Sequence, residues 1–120
     1  MDYTEAIVAL HGAVNKTFIK RMIPFIKHKA KKPMEISNRV DKNIRNVSGH
    51  NLKTITPTDT FYFNYIKKEI ERLYYYYKIK FPLLETKKID QIDLLKYTSG
   101  GKYTTHTDSN SITHRHVSVI

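Results

Sequence analysis

Residues 89–120 read IDQIDLLKYTSGGKYTTHTDSNSITHRHVSVI, and this stretch decides the fold class. Its texture is that of consecutive short strands. An apolar, strand-like run at 89–97 meets the breaker Ser99-Gly100-Gly101, which is followed by a Thr- and Tyr-rich run at 102–108. A polar loop at 109–113 leads to a last apolar strand at 114–120. The turn at 99–101 is short enough to return the chain beside itself, so 102–108 is expected to lie antiparallel to 89–97.

Upstream the periodicity is helical. Residues 58–80 form the clearest helix: Phe63, Ile66, Ile70, Leu73, Tyr74 and Tyr77 make a stripe at three-to-four spacing, and Lys67, Lys68, Glu71, Arg72 and Lys78 fill the other face. Thr58 or Asp59 is the expected cap and Pro82 the expected stop. The run Tyr74–Tyr77 reads as helix packing, with some rings inward and others on the surface. Consecutive helical residues point in four directions, which is poor geometry for a base-stacking platform. Asn15 caps an earlier helix starting near Lys16, with Phe18, Met22, Ile23 and Ile26 at helical spacing and Pro24 placed to kink or divide it. Residues 6–10 read as a short strand; 31–51 are irregular, with one strand at 43–47. Helices first and strands after them favour an α+β arrangement with an antiparallel sheet or barrel.

Composition narrows the chemistry. A chain of 120 residues is at most one domain, and no repeat or linker divides it. With no cysteine, disulfides, thiolate nucleophiles and Cys-ligated zinc are excluded, and any metal must be held by nitrogen and oxygen. No apolar run approaches the ~20 residues of a membrane span. The start MDYTEAIVALHG lacks a basic n-region, so a cytoplasmic location is expected, in a bacterium or in the host of a phage. The net charge of +10 can signal nucleic acid. The basic residues are spread along the chain, however, and lysine predominates. That pattern favours a solvated surface over a nucleic-acid partner.

The residues that carry chemistry are His106 and Asp108. Two residues apart on a strand, their side chains share a face, so an imidazole and a carboxylate can converge on one metal ion. One further His from a neighbouring strand would complete the facial triad of a non-haem Fe(II) oxygenase. His114 and His116 stand too near in sequence to be comfortable as that third ligand. His11, His28 and His50 read as surface residues.

Tyr97, Gly100, Tyr103, His106 and Asp108 together spell Tyr-x2-Gly-x2-Tyr-x2-His-x-Asp. This resembles the metal-binding strand pair of the prolyl 4-hydroxylase group of 2-oxoglutarate/Fe(II) dioxygenases. Arg115-His-Val-Ser118-Val-Ile is similar to the strand that follows in that group. The resemblance is strong over 89–120 and looser upstream. It implies N-terminal helices packed on a double-stranded β-helix, or jelly roll. It implies Fe(II), 2-oxoglutarate and O₂ as requirements, ascorbate as an accessory reductant, and hydroxylation of a peptide, protein or small molecule coupled to decarboxylation of 2-oxoglutarate. By position, His106 and Asp108 are the iron ligands and Tyr97 lies beside the 2-oxoglutarate. Tyr103 and Arg115 fall on the substrate side.

In that family a distal His and a basic residue that pairs with 2-oxoglutarate lie downstream of the His-x-Asp strand. The chain ends on HVSVI, inside an apolar strand. The expectation is therefore the N-terminal part of a single dioxygenase domain, inactive by itself, with an incomplete jelly roll. Two other readings compete: a small basic nucleic-acid-binding protein, and a member of the family without catalytic activity.

Overall fold

The computed structural model describes residues 6–36, 39–85, 88–104, 106 and 117–120. Among these, two helices and five short antiparallel strands follow one another as α1 (Lys16–Lys29), β1 (Lys32–Pro33), β2 (Arg45–Asn46), β3 (Ser48–Asn51), α2 (Pro57–Lys80), β4 (Asp93–Lys96) and β5 (Lys102–Tyr103). The mixture of helices with small antiparallel sheets is an α+β arrangement. No helix among the described residues is long and apolar enough to cross a membrane.

Local signals account for both helices. The Asn15 carboxamide oxygen accepts from the Thr17 and Phe18 amides, at 2.8 and 3.2 Å, and so satisfies two donors that the first turn leaves unpaired. Pro24 lies within α1 and does not divide it. It forfeits the bond its N–H would make to the Lys20 carbonyl, and Lys20 is exposed, where water can take that acceptor. Phe18 and Met22 are buried and Phe25 and Ile26 pack beside them, whereas Ile23 is exposed. The inward face therefore follows 18, 22 and 25, and Ile23 is turned away from it.

The cap of α2 is Thr56, two residues ahead of the sequence expectation. Its hydroxyl accepts from the Asp59 amide at 3.2 Å, and Pro57, which has no N–H to lose, starts the helix. The helix ends at Lys80, capped by Phe81 just before Pro82. Phe63, Ile66 and Ile70 pack on the core as the stripe requires. Tyr62 and Tyr65, outside the expected stripe, are what lock the two helices together. Phe18 stacks on Tyr65 with centroids 3.7 Å apart and planes at 11°, and Phe25 stacks on Tyr62 at 4.1 Å and 23°. The later ring of α1 meets the earlier ring of α2, so the helices run in opposite senses at the contact. Tyr74 and Tyr77 are half-buried and donate to the Leu84 and Ala6 carbonyls, while Tyr75 and Tyr76 stand exposed, edge to face.

Residues 6–10 do not form the expected strand: Ala6 ends in a turn of 3₁₀ type and 7–10 are irregular. The sheet of β1, β3 and β4 has β3 at its centre, with Gly49 opposite Lys32 on one side and Leu95 on the other. Leu52, Ile92 and Leu94 carry this sheet's apolar side into the core with Phe18, Met22 and Tyr62.

The strands after residue 89 pair differently from the sequence expectation. β4 is antiparallel to β3, with Ser48 opposite Lys96, and β5 is antiparallel to β2, with Asn46 opposite Lys102. Segment 45–51 is thus the common partner of both. Residues 97–101 bulge out opposite the single residue Val47, and the chain then continues along the same partner in the same direction. The turn at Ser99-Gly100-Gly101 is a bulge loop, not a hairpin. Gly100 has φ 81°, the left-handed region, and the Gly101 amide donates to the Thr98 carbonyl at 2.7 Å. A Cβ on Gly101 would stand 2.9 Å from the Thr98 oxygen and 3.1 Å from that of Asn46, which explains why the loop can close against β2 only with glycine there.

Candidate metal centre around His106

Tyr103 is the last residue of β5 and is paired across the ladder with Arg45. One further bond, from the Thr104 amide to the Ile44 carbonyl at 2.9 Å, extends the pairing and fixes where the chain leaves the sheet. His106 follows two residues later, exposed to solvent. Its ring lies flat on Tyr103, with centroids 3.6 Å apart and planes at 10°. Its Nδ1 is 2.7 Å from the Thr104 carbonyl oxygen. A carbonyl can only accept, so Nδ1 carries the proton and donates it. In the neutral ring the lone pair then belongs to Nε2. A ligating histidine ordinarily has this state, one nitrogen held by a carbonyl and the other given to the metal.

Of the two residues expected to hold iron, only His106 is among the described residues. Asp108 and Arg115 lie outside the described residues, as do His114 and His116; of the strand expected at 114–120, residues 117–120 are described and form no strand. Among the described residues, no group of three His, Cys, Asp or Glu side chains could hold a metal ion. Tyr97 follows β4 immediately and opens the bulge, with half of its surface exposed. Because β4 and β5 share a partner and do not pair with each other, Tyr97 and His106 are not on adjacent strands, as the hairpin reading expected. Tyr103, placed by sequence on the substrate side, is half-buried between two cationic or ionisable neighbours: the Arg45 guanidinium carbon is 4.4 Å from its centroid.

Sequence reasoning missed two residues that the fold makes conspicuous. Asp59 is 6% exposed, and its Oδ2 lies 2.8 Å from Nε2 of His50, a residue read from sequence as a surface histidine. The second oxygen, Oδ1, is buried without a hydrogen-bond partner among the described residues. The pair joins the N-terminus of α2 to β3, and Phe25 meets the His50 ring edge to face at 6.5 Å. The one signal available in sequence was Asp59 at the third position of a helix capped by Thr56, where a carboxylate suits the helix dipole. Nothing local pointed to His50 as its partner. Elsewhere on α2 the Arg72 guanidinium is held above its ordinary pKa, first by its hydrogen bond to Glu69, and also donates to the Ala13 carbonyl at 2.6 Å.

Comparison with known proteins adds no relative: no family model, curated protein or solved structure matches the chain.

Proposed function

We propose that this chain carries the His-x-Asp half of the iron site of a 2-oxoglutarate-dependent dioxygenase of the prolyl 4-hydroxylase type, within a jelly-roll domain. The observation that supports the reading is the state of His106, whose Nδ1 proton is given to the Thr104 carbonyl, so that Nε2 is the nitrogen that would coordinate a metal. It stands within the pattern Tyr97-x2-Gly100-x2-Tyr103-x2-His106-x-Asp108. When bound, Fe(II) with 2-oxoglutarate and O₂ supplies the oxidising power, and ascorbate serves to keep the metal ferrous. The chain's own residues would bind and orient: His106 and Asp108 would hold the metal, and Tyr97 would lie beside the 2-oxoglutarate. Tyr103 and Arg115 belong to the substrate side, where a peptide, protein or small molecule is received. The location that goes with this reading is cytoplasmic.

The test is Fe(II)-dependent conversion of 2-oxoglutarate to succinate by the full-length gene product. His106→Ala and Asp108→Ala should each abolish it, and Tyr97→Phe should raise the 2-oxoglutarate requirement more than it alters iron binding. Succinate release unchanged in His106→Ala would refute the assignment.

A further inference from the structure

We propose that the outward face of α1 is a docking surface for single-stranded nucleic acid, which lays its sugar–phosphate backbone along Lys16, Lys20 and Lys27 and places a base against Arg21 and Phe61. Positive charge that is spread along the sequence is gathered by the fold on this face. Seven of the chain's 21 lysines and arginines stand between 16 and 32, with no aspartate or glutamate among them. At 3.6 residues per turn, positions 16, 20 and 27 fall within roughly 40° of one another, on the side opposite the buried Phe18 and Met22. All three lysines are exposed, and among the described residues no ion pair involves α1. The face therefore presents its charge to whatever anion it meets.

Charge and shape together choose the occupant. The lysine row runs about 16 Å along the helix axis at 1.5 Å per residue, the length of about five stacked nucleotides at 3.4 Å each. Lysine suits such a partner, because an ammonium on a flexible stem meets phosphates as a point charge and demands no fixed geometry. What selects a single strand is the edge of the face next to α2. The Arg21 guanidinium carbon lies 5.4 Å from the centroid of the Phe61 ring, and the two line an open cavity of about 280 Å³ with Pro57, Thr58 and Tyr62. Phe61 is 46% exposed, so an aromatic ring and a planar cation stand side by side in solvent. Both stack on bases, and a base reaches them only when it is unpaired. A bilayer fits this face less well. Phe18 and Met22 are turned into the core, and Ile19 and Ile23 remain as the exposed aliphatic side chains of α1, too few for the broad apolar face of an interfacial helix. None of these residues belongs to the iron reading, which stands or falls separately.

The experiment follows binding of a fluorescein-labelled oligothymidine to the full-length gene product by anisotropy, over salt concentrations from about 50 to 200 mM. Three variants are compared with the wild type, each first shown by circular dichroism to keep its helix content. One is Lys16→Gln with Lys20→Gln and Lys27→Gln. The second removes the same charge from exposed positions of α2, as Lys67→Gln with Lys78→Gln and Lys80→Gln. The third is Phe61→Leu, which keeps an apolar side chain and loses the ring. Each phosphate neutralised on a single strand contributes about −0.7 to the slope of log K against log salt, so the α1 triple variant should flatten that slope by about 2. The α2 triple variant should leave it close to the wild type. Phe61→Leu should weaken binding about 5- to 150-fold at an unchanged slope, the loss of one stacked base. A duplex of the same length should bind more weakly and ignore Phe61→Leu. Equal flattening by the two triple variants would mean that net charge and not this face attracts the strand, and overturns the proposal. Phe61→Leu without effect, or a duplex held as tightly as the single strand, overturns the base contact and with it the choice of partner. Retention on vesicles of anionic phospholipid that is lost in the α1 triple variant, with no oligonucleotide bound, gives the face to a membrane and overturns the proposal as well.

Discussion

Replacing Asp59 with alanine should be among the most damaging single changes to folding, and the loss can be worked from its surroundings. The carboxylate is 6% exposed and 2.8 Å from His50 Nε2, so the substitution removes a charge-assisted bond in a partly dry setting. A hydrogen bond to a charged group contributes about 1.5–3 kcal/mol. The same carboxylate sits in the first turn of α2, where its interaction with the helix dipole adds about 0.3–1 kcal/mol. The His50 side chain keeps a quarter of its surface in water, so the nitrogen left behind is partly rehydrated and the total stays at about 2–4 kcal/mol. The unfolding entropy of about 2.1 cal/mol/K per residue makes each kcal/mol worth about 4 °C at this chain length, and the midpoint should fall by about 8–16 °C. The assay is thermal and urea unfolding of Asp59→Ala, His50→Ala and the double variant, followed by circular dichroism. In the cycle, the second substitution should cost much less once the first is made. A coupling energy below about 0.5 kcal/mol would refute the claim that the two side chains stabilise the fold through each other.

Ile70→Asp should destabilise by about 1.5–3 kcal/mol or more, because Ile70 packs against the core, whereas Lys68→Asp on the exposed face should leave the midpoint almost unmoved. Equal shifts for the two would show that the inward face of α2 is misassigned. Gly101→Ala should cost about 1–3 kcal/mol and loosen the pairing of β5 with β2, since the new methyl meets the Thr98 and Asn46 carbonyl oxygens. Amide hydrogen exchange at Thr104, bonded across to Ile44, is the sensitive readout, and unchanged protection there would contradict the bulge geometry.

What could be read in the sequence is what is settled within a few residues along the chain. The Asn15 cap, the start of α1 and the stop of α2 before Pro82 depend on backbone chemistry at those positions, and they stand where the sequence placed them. The inward stripe of α2 was legible for Phe63, Ile66 and Ile70 because three-to-four spacing puts them on one face. The aromatic clasp was not, since a tyrosine tolerates either surface or core and only the approach of α1 decides that Tyr62 and Tyr65 turn inward. The pattern from Tyr97 to Asp108 was visible, and so was the breaker at 99–101. Whether that breaker makes a hairpin or a bulge depends on where segment 45–51 lies. Strands of two residues carry too little alternation to reveal a partner more than fifty positions away. The same holds for His50 with Asp59 and for Arg45 over Tyr103. Each is a contact between side chains that neither periodicity nor spacing relates, and each exists because the tertiary fold brings their backbones together.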